Sequence, residues 1–349
     1  MKKTISIMLC LFCVFLMACG SRQTPQISKV SQTPKTSKAS ASVAADGFTM
    51  AIAWTDEPSA YSIQCMGLTA KETGENFTTL DMIRSYDLSY DEKGMLVDAT
   101  DSNGILTHEA ARLVKENTWL NSNVEEVMEG VDCIIFPGGK DISPTLYYNE
   151  QSWHGIEEDT SYSAERDVSD YLLMDYCLDN DIPILAICRG MQMLSAVSGA
   201  DMIQDIQTWL AEQGIEYTDI HRDPEKKRLV PHPVTVLSKD SLFYNITGKI
   251  AIDNCPSWHH QMVGNVDGTR LTVTGETDTN GINTIEAVER ADRAFCLGLQ
   301  FHPEVAVGKI VKSEADAGDF FDYDTAMSFF KALIEAGKEY DKEELERAA

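Results

Sequence analysis

The chain has 349 residues, 55 of them acidic and 29 basic, for a formal net charge of −26. An apolar fraction of 43% is enough for a real core and too much for a disordered protein. The acidic balance argues against a basic face for nucleic acid or an anionic membrane surface, because phosphate contacts require clustered Lys and Arg. No G-x-G-x-x-G is present, and Gly138-Gly139-Lys140-Asp141 lacks both the spacing and the Ser/Thr of a phosphate loop. Nucleotide chemistry is a poor fit.

At the start, Lys2 and Lys3 precede an apolar run from Ile5 to Ala18. That run falls short of the about 20 residues that span a bilayer comfortably. Charged start, apolar middle and small-residue exit together describe an export signal. Leu16-Met17-Ala18-Cys19 resembles the lipobox of bacterial lipoproteins, which implies cleavage before Cys19, lipidation of its sulfur and anchoring on the extracytoplasmic face of a membrane. The Ser-, Thr-, Lys- and Pro-rich stretch that follows cannot bury enough surface to order itself and reads as a tether. The expected organisation is therefore a signal over 1–18, lipidated Cys and tether over 19–46, and a single domain over 47–349. Cys10 and Cys13 fall inside the signal. Cys65, Cys133, Cys177, Cys188, Cys255 and Cys296 are scattered, mostly in apolar runs, unlike a disulfide scaffold.

Within the domain, Phe48 to Trp54 reads as a buried strand, Ser59 to Lys71 as a helix, and Phe77 to Ile83 as strand-like. Residues 84–107 look like a polar excursion. Val131 to Phe136 is a strand ending at Pro137-Gly138-Gly139, and Glu165 to Asn180 is a helix. Ile182 to Ile187 is another strand, with a helix beginning by Gln192. Further strands fall at Leu271–Thr274, Thr284–Glu289 and Ala294–Phe301, and Phe320 to Ala336 closes the domain as an amphipathic helix. Apolar strands alternating with helices predict an α/β fold, with a mostly parallel sheet covered on both faces. In such sheets a site lies beyond the carboxyl ends of the strands.

Three segments just after strands can carry chemistry. Cys188 sits between a strand and a helix, where the turn lifts a nucleophile clear and the helix terminus favours thiolate. His302-Pro303-Glu304 follows the strand ending at Phe301. Pro303 biases His302 toward extended backbone, so Glu304 can project to the same side and hold one imidazole nitrogen. The Gly138-Gly139 pair lets backbone N–H groups face a cleft, as an oxyanion hole requires.

Together these residues resemble the class I glutamine amidotransferase-like superfamily, and within it the gamma-glutamyl hydrolase branch of cysteine peptidases (peptidase C26-like), which includes gamma-glutamyl-GABA hydrolases. The resemblance rests on FPGGKDISPTLYY at 136–148, Arg166-Asp167, PILAICRGMQMLSAVSGADMIQDI at 183–206, HPV at 232–234, SWHHQ at 257–261, IEAVE at 285–289 and GLQFHPE at 298–304. It implies a flavodoxin-like three-layer sandwich with Cys188 as nucleophile, His302 as acid/base and Glu304 as its orienter. It also implies an oxyanion hole from Arg189 with Gly139 or Gly138, and substrate contacts from Gln192, Ser257, His259 and His260. The partner is a small gamma-glutamyl compound, hydrolysed without metal or cofactor. His259 and His260 as metal ligands are disfavoured because adjacent side chains diverge. A side-chain clamp by Arg189, a glutaminase and a non-catalytic binder remain as rival readings.

Overall fold

Short apolar runs bounded by Pro, Gly and acidic residues become strands buried on both faces. The computed structural model describes residues 47–348, apart from 150, 151, 157–159, 219, 224 and 227. The signal, the lipidated Cys19 and the tether lie outside the described residues. Five parallel strands form the centre, in the order Phe77–Thr79, Met50–Ile52, Cys133–Phe136, Ile184–Ile187 and Cys296–Leu299. Beyond Cys296–Leu299 the sheet continues antiparallel through Ile282–Glu289, Thr272–Thr279, Val230–Val236 and Ala251–Ser257.

The two-residue alternation of a strand sorts the core into two layers. Ile134, Phe136, Ile184 and Ala186 pack under the helices His108–Asn117 and Ala164–Asp179. Cys133, Ile135, Leu185 and Ile187 face the opposite way, under Pro303–Val311 and Tyr323–Ala348. Helices on both faces of a sheet with a parallel centre make the expected α/β sandwich. Cys65, Cys133, Cys177, Cys188, Cys255 and Cys296 are all buried free thiols. No described helix is long and apolar enough to cross a membrane.

Two strands of the main sheet escape the sequence reading, and proline is the reason. Val230–Val236 carries Pro231 and Pro233, and Ala251–Ser257 carries Pro256. Proline cannot donate to a ladder and belongs on edges. Of Val230–Val236, only Thr235 and Val236 pair with Thr272–Thr279, so both prolines lie where one side of that strand is open. The closing helix also runs beyond Ala336, to Ala348, with Glu343 and Glu344 paired to Arg347 along its charged end. The polar excursion contains a small antiparallel pair, Ser89–Tyr90 with Leu96–Val97.

The layer beneath Tyr323–Ala348 is aromatic. Phe329 is fully buried, with its ring 5.8 Å from Phe243 and 6.0 Å from Phe301. Phe301 immediately precedes His302, so this cluster supports the strand end from which the site is built. Truncating Phe329 removes a buried ring that its neighbours can only partly replace. Phe329→Ala is expected to cost about 3–5 kcal/mol of unfolding free energy in a urea titration, and a loss below about 1 kcal/mol would show that the layer collapses to fill the gap.

Candidate active site

Strand Ile184–Ile187 hands directly to helix Arg189–Val197, with Cys188 as the single residue between them. Cys188 takes φ 51° and ψ −106°, the strained turn that presents a nucleophile above a sheet edge. Its backbone N–H donates to the Leu299 carbonyl at 2.6 Å, tying the turn to the neighbouring strand. Gly190 permits the sharp entry: a Cβ there would lie on the Phe136 carbonyl. Arg189 opens the helix, where the first N–H groups have no intrahelical acceptor.

His302 comes from the end of the adjacent strand, and its backbone N–H donates to the Pro256 carbonyl at 2.8 Å. His302 is non-helical as Pro303 favours, with φ −111° and ψ 78°, but the residues after it do not continue as strand. His302 is the N-cap of helix Pro303–Val311, with Pro303 and Glu304 in its first turn. Pro fits that first position because it has no N–H to leave unpaired. The outcome for the pair is unchanged, since His302 Nδ1 and Glu304 Oε1 stand 2.7 Å apart, both buried. Burial opposes charge on His302, but the Glu304 carboxylate and the Cys188 sulfur, which hydrogen-bonds to the ring, raise it well above the usual imidazole range.

The diglycine bend closes over this pair. A Cβ at Gly138 would stand 2.7 Å from His302 Cε1, and one at Gly139 would strike the Arg166 guanidinium. Arg166 donates to the Pro137 carbonyl at 2.8 Å. In a trans peptide the C=O and N–H point opposite ways, so pinning that carbonyl turns the Gly138 N–H away from Arg166. The Arg189 side chain is also buried, bonded to Asp167 at 2.6 Å and paired with Asp170. A substrate clamp by that side chain is excluded; only its backbone faces the turn.

A cleft of about 290 Å³ opens above Cys188 and His302, lined also by Gly139, Asp141, Gln192, Arg222, Trp258, His259 and His260. Gln192 donates to the Gln261 carbonyl at 3.0 Å, which orients its amide. Ser257 is corrected: it is fully buried behind the wall, and its hydroxyl donates to the His221 carbonyl at 2.8 Å. Its place in the strand, one residue before the exposed segment, turns it inward. Burial drives His259 down to about 3, so this ring is neutral. Arg222, Trp258 and Asp141 carry no assigned role in the sequence reading; the last two lie inside noted motifs, and Arg222 lies in a segment without a legible pattern.

The turn, the histidine–glutamate pair and the diglycine bend define a cysteine hydrolase or amidotransferase type of site on an α/β sandwich. The peptidase C26 family model matches residues 110–304, and the chain belongs to that family. Among its relatives is a putative glutamine amidotransferase-like protein of Rickettsia prowazekii, 27% identical over 256 residues, spanning 62% of this chain and 81% of the relative. The gamma-glutamyl-gamma-aminobutyrate hydrolase PuuD of Escherichia coli K12 is 28% identical over 187 residues, spanning 52% of this chain and 68% of that one. A crystal structure of a glutamine amidotransferase from Thermotoga maritima superposes with a TM-score of 0.44 at 15% identity, covering 82% of this chain and 98% of the other.

His260 supplies a pH test. Its Nδ1 lies 3.2 Å from Asp205 Oδ2 and its Nε2 lies 3.0 Å from Asp141 Oδ1. Burial disfavours the charged ring, but the two carboxylates outweigh it and raise the pKa to about 9. A raised folded-state pKa stabilises fully below the unfolded value of about 6.5 and loses that stabilisation as pH climbs through the folded value. Unfolding free energy should fall by on the order of 1–3 kcal/mol between about pH 6.5 and 9. His260→Asn should flatten that slope; an unchanged slope in the variant would assign it to other groups.

Proposed function

We propose that this protein hydrolyses gamma-glutamyl amide or isopeptide bonds through a thioester on Cys188. The observation that carries the reading is the strained Cys188 turn facing a buried His302–Glu304 pair inside one cleft. The Cys188 thiolate attacks the side-chain carbonyl carbon of the glutamyl group, and the oxygen takes the negative charge. The N–H groups of Arg189 and of Gly138 or Gly139 stabilise that oxyanion, whose charge exists only along the reaction path. The C–N bond then breaks as His302 protonates the leaving amine. Water adds to the thioester, His302 accepts its proton, and C–S cleavage releases glutamate and restores the thiolate. Glu304 keeps the imidazole oriented throughout.

The cleft wall suits the head of such a substrate. Arg222 and the His260–Asp141 ion pair line that wall, so charges of both signs stand near where an α-carboxylate and an α-ammonium group would lie. The similarity to the gamma-glutamyl-gamma-aminobutyrate hydrolase of Escherichia coli supports the substrate class, with gamma-glutamyl-GABA as one member. Cys188→Ala should abolish amine release from a panel of gamma-glutamyl amides while unfolding remains cooperative. Gly139→Ala, which disturbs one oxyanion donor, should lower kcat by about 10²–10³ with a smaller change in KM. Undiminished turnover by Cys188→Ala would end the reading. Faster ammonia release from free glutamine would replace it by a glutaminase, and failure of a thiol-reactive glutamine analogue to label Cys188 would replace it by a binder.

The same proposal places the enzyme outside the cytoplasm. Lys2-Lys3, the apolar run to Ala18 and Cys19 support a lipid anchor on the Cys19 sulfur. Expressed in a bacterium fed labelled palmitate, the full chain should take up label and Cys19→Ala should not; equal labelling of both would place any lipid elsewhere.

A further inference from the structure

Behind the cleft wall four buried residues from separate segments meet. His221 precedes strand Val230–Val236, His232 lies on it, His259 follows Ala251–Ser257, and Glu286 lies on Ile282–Glu289. One potential ligand atom from each lies within 4.8 Å of the other three. Nδ1 of His221 and Nε2 of His259 stand 3.4 and 3.6 Å from Glu286 Oε1, and Nε2 of His232 stands 3.6 Å from Oε2. All three nitrogens and both oxygens lack a hydrogen-bond partner. Buried polar groups rarely go unpaired, and five gathered at one point call for a common partner.

The opposite side of each ring is satisfied. His232 Nδ1 meets the Pro233 carbonyl at 3.1 Å, His259 Nδ1 meets the Gln261 carbonyl at 2.9 Å, and His221 Nε2 meets Thr279 Oγ1 at 2.8 Å. A carbonyl only accepts, so His232 and His259 donate from Nδ1, which leaves Nε2 of each ring as the atom that faces the cluster. Outer nitrogens held in this way are what orient histidine ligands around a metal. A tetrahedral ion with bonds of about 2.0–2.1 Å keeps its ligands about 3.3–3.4 Å apart. The His221 and His259 separations from their shared Oε1 are within a few tenths of an ångström of that edge, and His232 stands as close to the other carboxylate oxygen.

We propose that His221, His232, His259 and Glu286 bind one divalent transition-metal ion of the zinc type. Three imidazoles and one carboxylate form a closed four-ligand shell, and imidazole selects Zn²⁺ and its late first-row neighbours over Mg²⁺ or Ca²⁺. With four protein ligands and no open position, the ion acts by cross-linking. It ties the loop carrying Arg222 and the segment Trp258–His260 to strands Val230–Val236 and Ile282–Glu289, and so fixes one wall of the cleft. The site uses none of Cys188, His302 and Glu304 and stands whether or not the proposed hydrolysis is correct.

The test uses the protein freed of metal with a chelator, then treated with zinc chloride and separated from excess. Wild type and Cys188→Ala should each retain one zinc per chain by mass spectrometry and unfold at a higher Tm than the chelated protein. X-ray absorption on the zinc-loaded wild type should show a nitrogen and oxygen shell with imidazole scattering and no sulfur. His232→Ala and Glu286→Gln should each lose the zinc and the Tm response. Folded wild type that takes up no zinc, a sulfur ligand, loss of zinc in Cys188→Ala, or full retention in both ligand variants would overturn the site. If the ligand variants fail to fold, the absorption spectrum of wild type decides alone.

Discussion

Two arginines and two aspartates, all buried, hold the reactive surface together from below. Arg189 pairs with Asp167 and Asp170, and Arg166 Nε lies 3.3 Å from Asp170 Oδ2. Asp167 also accepts the Ser143 backbone N–H at 3.0 Å, and Arg166 donates to the Pro137 carbonyl. The nucleophile turn, the diglycine bend and the segment after it are thus fastened to one helix, Ala164–Asp179. A desolvated charge is costly without its partner, and removing one member of such a network typically costs about 3–5 kcal/mol. That penalty is what makes the arrangement discrete: a loop shifted by an ångström would strand a buried charge, so the amides above stay where an oxyanion needs them.

This foundation explains why the motifs were legible and their internal roles were not. Strand-to-helix turns, a diglycine and an H-P-E segment are local, and each constrains backbone geometry within a few residues. The Cys188 turn and the His302–Glu304 contact could therefore be anticipated from spacing. The direction of the Arg189 side chain could not, because it depends on Asp167 and Asp170 some twenty residues away across a helix pairing. Ser257 shows the same limit from the other side. It belongs to a recognisable motif, yet strand alternation turns it behind the wall that its neighbours line.

The antiparallel half of the sheet was hardest to read, since its prolines argue against strands wherever both edges are assumed to pair. Only the short contact with Thr272–Thr279 shows how Val230–Val236 accommodates them. The histidine cluster is invisible in sequence for a related reason. Short metal motifs place two ligands on one turn or one helix face, whereas these four residues are brought together by two strands and two connecting segments. Adjacent His259 and His260 do diverge as expected of neighbours, His259 toward Glu286 and His260 toward Asp141 and Asp205. Divergence removes them as a pair of ligands but leaves His259 available to a different set.

The charge distribution ties these observations to substrate choice. A net charge of −26 repels an anionic glutamyl compound at long range. At physiological ionic strength that field decays over about 8 Å, so it slows approach more than it weakens binding. Inside the cleft both signs are present: Arg222 and the His260 ring, held between Asp141 and Asp205, stand on one wall, and Lys140 pairs with Asp56 and Glu57 at the rim. Low-dielectric walls strengthen those contacts relative to the screened surface. For the reaction proposed above, a head with one carboxylate and one ammonium and an uncharged reacting amide would suit that mixed pattern better than a polyanion.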